Sequence, residues 1–226
     1  MRIDLAFYAF VRSVVVGFCR LFWRETVEGS ENVPAHGAFI LAPVHRSNID
    51  SPLVAAVTRR RLRYMGKDTM WKLRPFGWLW SALGAFPVHR GHADREALSR
   101  CREVLAEGEA LVVFPEGTRR SGTAVEDLYE GAAYLSIRAQ VPIVPVGIAG
   151  SEAAMPRGAR FIKPVKVHVV VGPPIEAPAP GPGGRAPRQA VHKLTRVLQD
   201  ELQGLFDQAS SRLESRGSRR SGASRS

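Results

Sequence analysis

The sequence predicts an α/β layer fold with a largely parallel sheet. Short apolar runs alternate with longer amphipathic segments between residues 38 and 172. In addition, four polar clusters each follow directly on one of the apolar runs. The chain has 226 residues, 45% of them hydrophobic, which is enough for one sizeable core and one principal domain.

The first 24 residues predict an amphipathic helix at a membrane surface. At about 100° per residue, the apolar side chains share one face and the basic ones the opposite face. Because Arg12 interrupts the apolar run, neither a transmembrane span nor a signal peptide is predicted. The alternative to the membrane surface is a helix that packs on the core. The apolar face holds Phe7, Phe10, Val11, Val14, Val15, Phe18, Leu21 and Phe22, and the basic face holds Arg2, Arg12, Ser13, Arg20 and Arg24.

The other elements follow in order from the same patterns. Strands are predicted at 38–43, 62–67, 84–90, 109–117, 141–150 and 165–172. Helices are predicted at 50–60, 71–83 (in two pieces), 94–108, 130–140 and 188–213. Pro52 is tolerated in the first turn of its helix. Pro142 and Pro145 would disturb a central strand, so an edge strand or a bulge is predicted there.

The charge balance favours anionic partners. The chain has 32 Lys and Arg against 21 Asp and Glu, a net charge of +11, so nucleic acid, anionic lipid headgroups and phosphorylated ligands are candidates. No zinc-finger, RNP or homeodomain pattern supports specific nucleic-acid binding. Residues 214–226 are rich in Ser, Gly and Arg and predict a disordered basic tail. The predicted parts are therefore a membrane-surface helix at 1–24, a domain at 25–213 and the tail.

Several classes of site lack support in the sequence. Cys19 and Cys101 are far apart, which indicates a reducing compartment and no disulfide framework. No metal-ligand spacing occurs, so no metal is predicted. The nucleotide motifs GxxxxGK[ST] and GxGxxG and the GxSxG elbow are also missing from the sequence, so nucleotide binding and a covalent acyl-enzyme are not indicated. Direct attack by a substrate hydroxyl is favoured.

The four polar clusters are predicted to meet at one edge of the sheet. Each cluster lies at or just after the carboxyl end of a predicted strand: residues 45–50 (HRSNID), Lys67 with Asp68, His89 with Arg90, and residues 116–120 (EGTRR). The carboxyl ends of parallel strands lie at the same edge, where ligands bind. One site is therefore predicted there.

His45 and Asp50 could be a general base and its orienting partner. Five positions apart in one regular helix, they would lie well over a right angle apart. They meet if His45 lies in the turn before the helix and Asp50 in its first turn. A carboxylate on one ring nitrogen then leaves the other nitrogen as a base. The alternative is that Asp50 or Ser47 caps the helix and His45 is an ordinary loop residue.

Residues 114–122 (FPEGTRRSG) form a rarer pattern. Pro115 and Gly117 favour a turn that exposes backbone N–H groups to an anion. Hydroxyl and guanidinium donors suited to phosphate follow in the same turn. The alternative is a strand-to-helix turn with surface arginines. The donors in question are Thr118, Arg119 and Arg120, and Lys67 and Arg90 are candidates for further anion contacts.

Four blocks in order, HRSNID, GAFPVHRG, FPEGTRRSG and VPIVPVGI, resemble the bacterial 1-acyl-sn-glycerol-3-phosphate acyltransferases. These are the lysophosphatidate acyltransferases of the phospholipid and glycerol acyltransferase superfamily. The similarity runs from about residue 32 to residue 150. The resemblance implies an αβα sandwich with a mostly parallel sheet, and a peripheral protein on the cytoplasmic face of the cell membrane.

The resemblance also implies a reaction of phospholipid biosynthesis. An acyl group would pass from acyl-CoA or acyl-carrier protein, with no other cofactor, to the free hydroxyl of 1-acyl-glycerol 3-phosphate, giving phosphatidate. His45 would deprotonate that hydroxyl and Asp50 would orient His45. The residues implied for the acceptor phosphate are Lys67, Arg90, Glu116, Gly117, Thr118 and Arg119, and those implied for the acyl donor or acyl chain are Val144, Pro145 and Val146.

Two departures from the family pattern bear on the acceptor. His89 stands where many relatives have Asp, and YEG at 129–131 stands where Lys-x-Gly is common. The alternatives left open are a remodelling acyltransferase for another lysophospholipid or alcohol, a basic nucleic-acid-binding protein, and a non-catalytic membrane adaptor.

Overall fold

The computed structural model describes residues 2–72, 74–88 and 95–222. Within them the strands are β1 Thr26–Glu28, β2 Phe39–Pro43, β3 Leu62–Lys67, β4 Ala85–Val88, β5 Ala110–Val112, β6 Ile143–Ala149 and β7 His168–Val171. The α-helices are α1 Arg2–Phe22, α2 Asp50–Val54, α3 Arg74–Ala82, α4 Arg95–Ala106, α5 Gly131–Ala139, α6 Ser151–Ala154 and α7 Arg188–Gly222. Short 3₁₀ turns lie at Ser30–Asn32, Asp68–Trp71 and Pro182–Gly184.

The strands form one sheet in the order β1-β7-β6-β2-β5-β3-β4. Strands β2 to β6 are parallel to their neighbours among themselves, and β7 runs antiparallel to β6. Right-handed crossovers place α2 and α3 on one face of the sheet and α4 and α5 on the other. Helix α1 contacts α2 and α3, and α7 contacts α5. The predicted αβα sandwich with a mostly parallel sheet is confirmed.

Pro142, just before β6, and Pro145, within it, do not mark an edge strand, but the predicted alternative, a bulge, is confirmed. Strand β6 lies between β7 and β2, and all seven of its residues are buried. Pro145 lies opposite Gly172, and the next pair along the strand is Ile143 with Ile175, so the partner segment has one extra residue between the two pairs. The Gly172 N–H donates to the Pro145 carbonyl at 3.0 Å, and the bond that a proline lacks falls at this bulge, where the ladder is already interrupted.

Two helices differ from their predicted extents, and two short elements were not predicted. Helix α2 ends at Val54, because the chain turns there to enter β3, and the Thr58 hydroxyl accepts the Arg60 N–H at 3.1 Å in that turn. Helix α7 continues to Gly222, into the segment for which disorder is predicted, since extending an existing helix costs little. Strand β1 and helix α6 are short elements that no apolar run predicts.

Helix α7 packs unusually close to the sheet at Gly147. A Cβ placed on Gly147 would lie 2.4 Å from the backbone carbonyl of Leu205. The buried stripe of α7 that makes this contact matches the predicted one, and consists of Val191, Leu194, Leu198, Leu202 and Leu205. Glycine is therefore required at this position by the approach of two backbones.

Replacing Gly147 with alanine is expected to destabilise the protein by more than about 2 kcal/mol, because neither backbone can yield without repacking. Gly204→Ala is the matched control on α7: no atom lies within 4 Å of the added Cβ, and the change should stabilise the helix by about 0.5–1 kcal/mol. Urea unfolding of both variants measures the difference. Equal midpoints would contradict the close packing.

Helix α1 has three faces instead of the predicted two. One face packs on the domain through Tyr8, whose hydroxyl accepts the Leu62 N–H at 3.1 Å and reaches the Arg60 carbonyl at 3.5 Å. Val16 and Cys19 are buried on the same side. A second face is polar. The third is apolar and exposed, and consists of Phe10, Val14, Phe18 and Leu21.

The expectation that Arg12 rules out a membrane span does not hold on length and composition. Residues Leu5–Phe22 are long and apolar enough to cross a bilayer by those two criteria alone. Two arginines within that window are outweighed by its aliphatic and aromatic residues. The helix of the described chain is nevertheless docked along the domain through its buried face.

Immediately after α1 the chain buries an acidic side chain. Arg24 adopts a left-handed conformation with φ of 47°, and Glu25 then lies 5% exposed with no hydrogen-bond partner for either carboxylate oxygen among the described residues. Burial raises the pKa of Glu25 to about 8, against the smaller opposing effects of Arg20 and Arg12. The side chain is therefore protonated at neutral pH.

This pKa predicts a pH-dependent stability. The folded protein holds the Glu25 proton more tightly than the unfolded chain, whose pKa is near 4.5, so the stabilising effect of that proton is lost as pH rises towards 8. Glu25→Gln should remove this loss, which is on the order of 3 kcal/mol between about pH 5 and 8. Urea unfolding of both proteins at the two pH values measures it. Parallel pH profiles would contradict the buried carboxyl.

Candidate active site

The predicted polar clusters that the structure describes follow parallel strands and lie at one edge of the sheet. Residues 45–50 follow β2, Asp68 follows β3 and residues 116–120 follow β5. Lys67 is the last residue of β3. The Lys67 side chain, His89 and Arg90 lie outside what the structure describes. The common edge therefore holds the His45 and Glu116 segments side by side.

His45 and Asp50 are in contact. His45 lies in the turn before α2 and Asp50 is the first residue of α2, which is the arrangement that their spacing requires. The distance from His45 Nδ1 to Asp50 Oδ2 is 3.0 Å. The same carboxylate oxygen accepts the backbone N–H groups of Arg46 and Ser47, each at 2.7 Å. Asp50 thus holds the whole turn and not only the ring.

The helix-cap alternative does not describe this carboxylate. The N-cap residue of α2 is Ile49, which makes no side-chain cap bond. The N–H groups that Asp50 accepts precede the helix. The Ser47 hydroxyl donates to the Met155 carbonyl at 2.8 Å, which ties the turn to the end of α6. Asp50 and Ser47 therefore hold the turn that carries the imidazole, and neither side chain caps α2.

The second ring nitrogen of His45 is available for a substrate. Asp50 is fully buried, whereas the His45 side chain is 19% exposed. The Phe114 ring stacks on the imidazole with ring centres 4.1 Å apart. A proton on Nδ1 directed at Asp50 leaves a lone pair on Nε2, and no described residue hydrogen bonds to Nε2. The ring can therefore take a proton from a bound hydroxyl.

A buried ion pair joins the His45 turn to the Glu116 turn. Arg46 Nη1 lies 2.6 and 2.8 Å from the two Glu116 carboxylate oxygens, and the two side chains are 1% and 0% exposed. Glu116 also accepts the His45 backbone N–H at 2.7 Å. Arg46 donates to the Ala124 carbonyl at 2.9 Å and lies over the Phe206 ring. The pair fixes the backbone of the base.

The implied contact between Glu116 and the substrate is at odds with this geometry. Both carboxylate oxygens are bonded within the protein and no part of the side chain is exposed. Arg46 is the residue that sequence reasoning missed. The partners are 70 positions apart, and the only sequence signal is that Arg46 lies within the HRSNID block.

The turn at residues 117–120 presents one unpaired cation. Gly117 has a φ of +66°, and a Cβ there would lie 2.5 Å from the Tyr129 ring, which covers the turn. The Arg120 N–H donates to the His45 carbonyl at 2.9 Å, and its guanidinium pairs with Glu126 at 2.7 Å. Arg119 makes no ion pair with any described residue, and Thr118 is exposed. Arg119 is thus the guanidinium that an anion can use.

The three residues implied for the acyl donor or chain are buried in the sheet. Val144 and Val146 are 0% exposed and belong to the core. Pro145 and Val146 pair with Ala42 and Pro43 of β2, and the Val44 N–H donates to the Val146 carbonyl at 3.0 Å. They offer an acyl chain no surface, contrary to the implied contact. Their contribution is to hold the strand that leads to His45.

Comparison with known proteins agrees with the sequence blocks. The family model described as Acyltransferase matches residues 24–149. A Bacillus subtilis protein named 1-acyl-sn-glycerol-3-phosphate acyltransferase is 28% identical over 152 residues, 66% of this chain and 72% of that protein. A Streptococcus pneumoniae protein of the same name is 30% identical over 154 residues, 65% of this chain and 56% of that protein.

Plant relatives and a solved structure extend the comparison. A Brassica napus protein named 1-acyl-sn-glycerol-3-phosphate acyltransferase BAT2, chloroplastic, is 25% identical over 158 residues. The match covers 68% of this chain but 46% of that relative, so the chain spans less than half its length. The crystal structure of the acyltransferase PlsC from Thermotoga maritima has a TM-score of 0.69 at 24% identity, covering 90% of this chain and 86% of that one.

The solved structure supports the αβα fold, and the curated relatives confirm the resemblance read from the four blocks. The family model extends from the end of α1 to the end of β6 and includes both turns that meet at the carboxyl edge. It covers more than half of the 226 residues. On that ground, the chain belongs to the Acyltransferase family.

Proposed function

We propose that the protein transfers an acyl group from the thioester of acyl-CoA or acyl-carrier protein to the free hydroxyl of 1-acyl-glycerol 3-phosphate, giving phosphatidate. The observation that carries the proposal is the 3.0 Å contact between His45 Nδ1 and the buried Asp50 carboxylate. The names of the relatives support the choice of acceptor. The intact pair and its open Nε2 argue against a non-catalytic adaptor.

The His45 ring supplies the proton transfers of this reaction. Nε2 takes the proton of the acceptor hydroxyl while that oxygen attacks the thioester carbonyl carbon. The carbon–sulfur bond then breaks, and the imidazolium returns the proton to the leaving thiolate. Asp50 holds the ring and stabilises its positive charge during the step. No covalent acyl-enzyme is needed, because the acceptor itself is the nucleophile.

Arg119 supplies the contact to the acceptor phosphate in this proposal. Its guanidinium lies in the turn whose next residue is bonded to the His45 carbonyl, so the phosphate and the reacting hydroxyl of one molecule can be held together. A planar guanidinium binds phosphate with two parallel hydrogen bonds. Arg120 is already paired with Glu126 at 2.7 Å, which leaves this role to its neighbour.

Arg119→Ala is expected to raise the KM for lysophosphatidate about tenfold or more while changing kcat little, because it removes binding that ground state and transition state share. The measurement is phosphatidate formation with detergent-dispersed substrate. Arg102→Ala, an exposed change on α4, is the charge-matched control. A monoacylglycerol without phosphate should be acylated equally by both variants. Loss of activity towards that acceptor in Arg119→Ala would contradict the phosphate contact.

The choice of acceptor is tested with a panel. Purified protein, vesicles and both thioester donors are combined with lysophosphatidate, headgroup-bearing lysophospholipids or glycerol 3-phosphate, and products are identified by mass. Phosphatidate should be the dominant product. Preference for a lysophospholipid with a larger headgroup would instead identify a remodelling acyltransferase, which the YEG sequence at 129–131 would favour.

The proposal places the protein on the cytoplasmic surface of the cell membrane, where both donors and the lipid acceptor are available. Its support is the exposed apolar face of α1, in which Phe10 is 67% and Leu21 84% exposed. The Phe7 and Trp78 rings pack 5.4 Å apart and extend this surface onto α3, where Trp78 is exposed. Aromatic and aliphatic side chains in this arrangement insert into the headgroup boundary of a bilayer.

A further inference from the structure

A second charged cavity lies at the opposite edge of the sheet from His45. It is a cleft of about 770 Å³ between α1 and the loops around residues 30–35 and 56–60. Those loops precede β2 and β3, so the cleft lies at the amino ends of parallel strands whose carboxyl ends carry the His45 turn. The two sites are therefore separate.

The cleft is lined by cations and by no acidic residue. Its charged lining is Arg12, Arg20, Arg59 and Arg60, and Ser13, Ser30 and Thr58 also line it. Arg60 is engaged, because it donates to the carbonyls of Pro34 at 2.9 Å and Gly108 at 3.2 Å. The other three arginines make no ion pair with any described residue.

No acidic residue that the structure describes lines the cleft to offset the repulsion between these arginines. Burial lowers the pKa of Arg12, and the neighbouring charges of Arg59 and Arg20 lower it further. Arg12 Nε is buried and has no hydrogen-bond partner among the described residues. Glu25 is the acid beside Arg12 and Arg20, and at neutral pH it carries a proton and no charge. An unpaired, partly desolvated cation cluster of this kind is stabilised by a bound anion.

The surroundings of the cleft point to a lipid as the source of that anion. Three small residues one helical turn apart, Ala9, Ser13 and Gly17, line its rim on α1. Past this rim lies the exposed apolar face of the same helix, with Phe10, Val14 and Leu21. A phosphate in the cleft can therefore belong to a molecule whose acyl chains pass over the small residues onto the apolar face.

We propose that this cleft binds the phosphate of an anionic phospholipid of the bilayer, at a site distinct from the acyl-acceptor site. The arginines contact the phosphate and the apolar face of α1 contacts the chains. The bound lipid neutralises the cluster and holds α1 against both the membrane and the domain. The site thereby makes membrane attachment depend on anionic lipid, whatever the acceptor at His45.

The test is flotation of the full chain with phosphatidylcholine vesicles that do or do not contain phosphatidylglycerol. Arg12→Gln, Arg20→Gln and Arg59→Gln should each weaken the phosphatidylglycerol-dependent affinity about fivefold, and the triple variant about a hundredfold. The control triple variant, Arg102→Gln, Arg188→Gln and Arg196→Gln, changes exposed residues of α4 and α7 by the same charge. Equal losses in the two triple variants would overturn the site, since general surface charge would then explain the binding.

A second measurement distinguishes a lipid ligand from free phosphate. It does not depend on variants that could misfold. Short-chain phosphatidylglycerol below its micelle concentration should bind one to one and shift the Ser13 and Gly17 amide resonances, and inorganic phosphate should bind more weakly. Equal affinity for both would overturn the lipid assignment, as would tighter binding of RNA. The exposed Arg59→Gln variant tests the site without disturbing packing.

The outcome is independent of the proposed reaction. Turnover of detergent-dispersed lysophosphatidate should be the same in the cleft triple variant and in the unmodified protein, because the cleft lies away from His45. If the unmodified protein has no turnover, the proposed function fails while the flotation result stands. If turnover is normal and flotation is unaffected by the three changes, the lipid site fails alone.

Discussion

His45→Ala is expected to lower kcat/KM for acyl transfer by at least about a thousandfold while leaving the fold intact, because it removes the only described base at the carboxyl edge with an open ring nitrogen. Among the described residues its side chain hydrogen bonds to Asp50, stacks on Phe114 and is partly exposed, so its loss leaves the buried core in place. The measurement is phosphatidate formation, with circular dichroism as the check on folding.

Two companion variants make the result specific. Asn48→Ala changes an exposed residue of the same turn and should leave turnover within about twofold of the unmodified protein. Asp50→Asn combined with His45→Ala should be no slower than His45→Ala alone, since the two residues act as a unit. Near-normal turnover of the His45→Ala variant would remove the mechanism.

The second large effect is expected on stability. Glu116→Ala should lower the free energy of unfolding by about 3–5 kcal/mol, because it leaves the Arg46 guanidinium buried without its partner. Acyl transfer should fall as well, since the His45 N–H loses its acceptor at 2.7 Å. Urea unfolding and the phosphatidate assay measure the two effects. Glu96→Ala, which breaks the exposed Arg100–Glu96 pair at 2.7 Å, should cost about 0.5 kcal/mol or less.

A double variant separates the charge from the hydrogen bond. Arg46→Met with Glu116→Leu removes both charges, so most of the stability lost in Glu116→Ala should return. Activity should stay low, because the leucine cannot accept the His45 N–H. Full activity in the double variant would show that the ion pair does not position the base.

The sheet was predictable from the sequence because its central strands are buried on both faces. Such strands appear as continuous apolar runs, as at 39–43, where all five residues are buried. Strand β1 has three half-exposed residues and no such run, so it was missed. The prolines indicated an edge strand or a bulge, and only the fold shows that β6 is central and that a bulge lies beside Pro145.

Only the contacts between residues that are close together in the sequence, and the common sheet edge, could be predicted. The meeting of His45 and Asp50 follows from a turn of six residues, and the common edge follows from parallel strands. The Arg46–Glu116 pair joins residues 70 positions apart, which no pattern along the chain reveals. A resemblance transfers the identity of Glu116 and Val146 but not the direction in which each side chain points, and both point inward.

Helix α1 shows the same limit of prediction from sequence patterns. Periodicity separated its apolar and basic sides correctly in outline, but it could not show which apolar residues meet the domain. Tyr8, Val16 and Cys19 are buried there and Phe22 packs against the core, whereas Phe10 and Phe18 are exposed. The cationic cleft depends on loops before β2 and β3 that lie about 10 to 50 positions from the helix, so only the fold brings it together.

The proposed catalysis depends on a lone pair at His45 Nε2, and ¹⁵N NMR of the imidazole measures that directly. With the ring neutral, the proton should be found on Nδ1, in hydrogen-bond contact with Asp50 at 3.0 Å, and Nε2 should show the shift of an unprotonated nitrogen. A proton on Nε2 in the neutral ring would contradict the account, because that nitrogen could not then accept a proton from the acceptor hydroxyl.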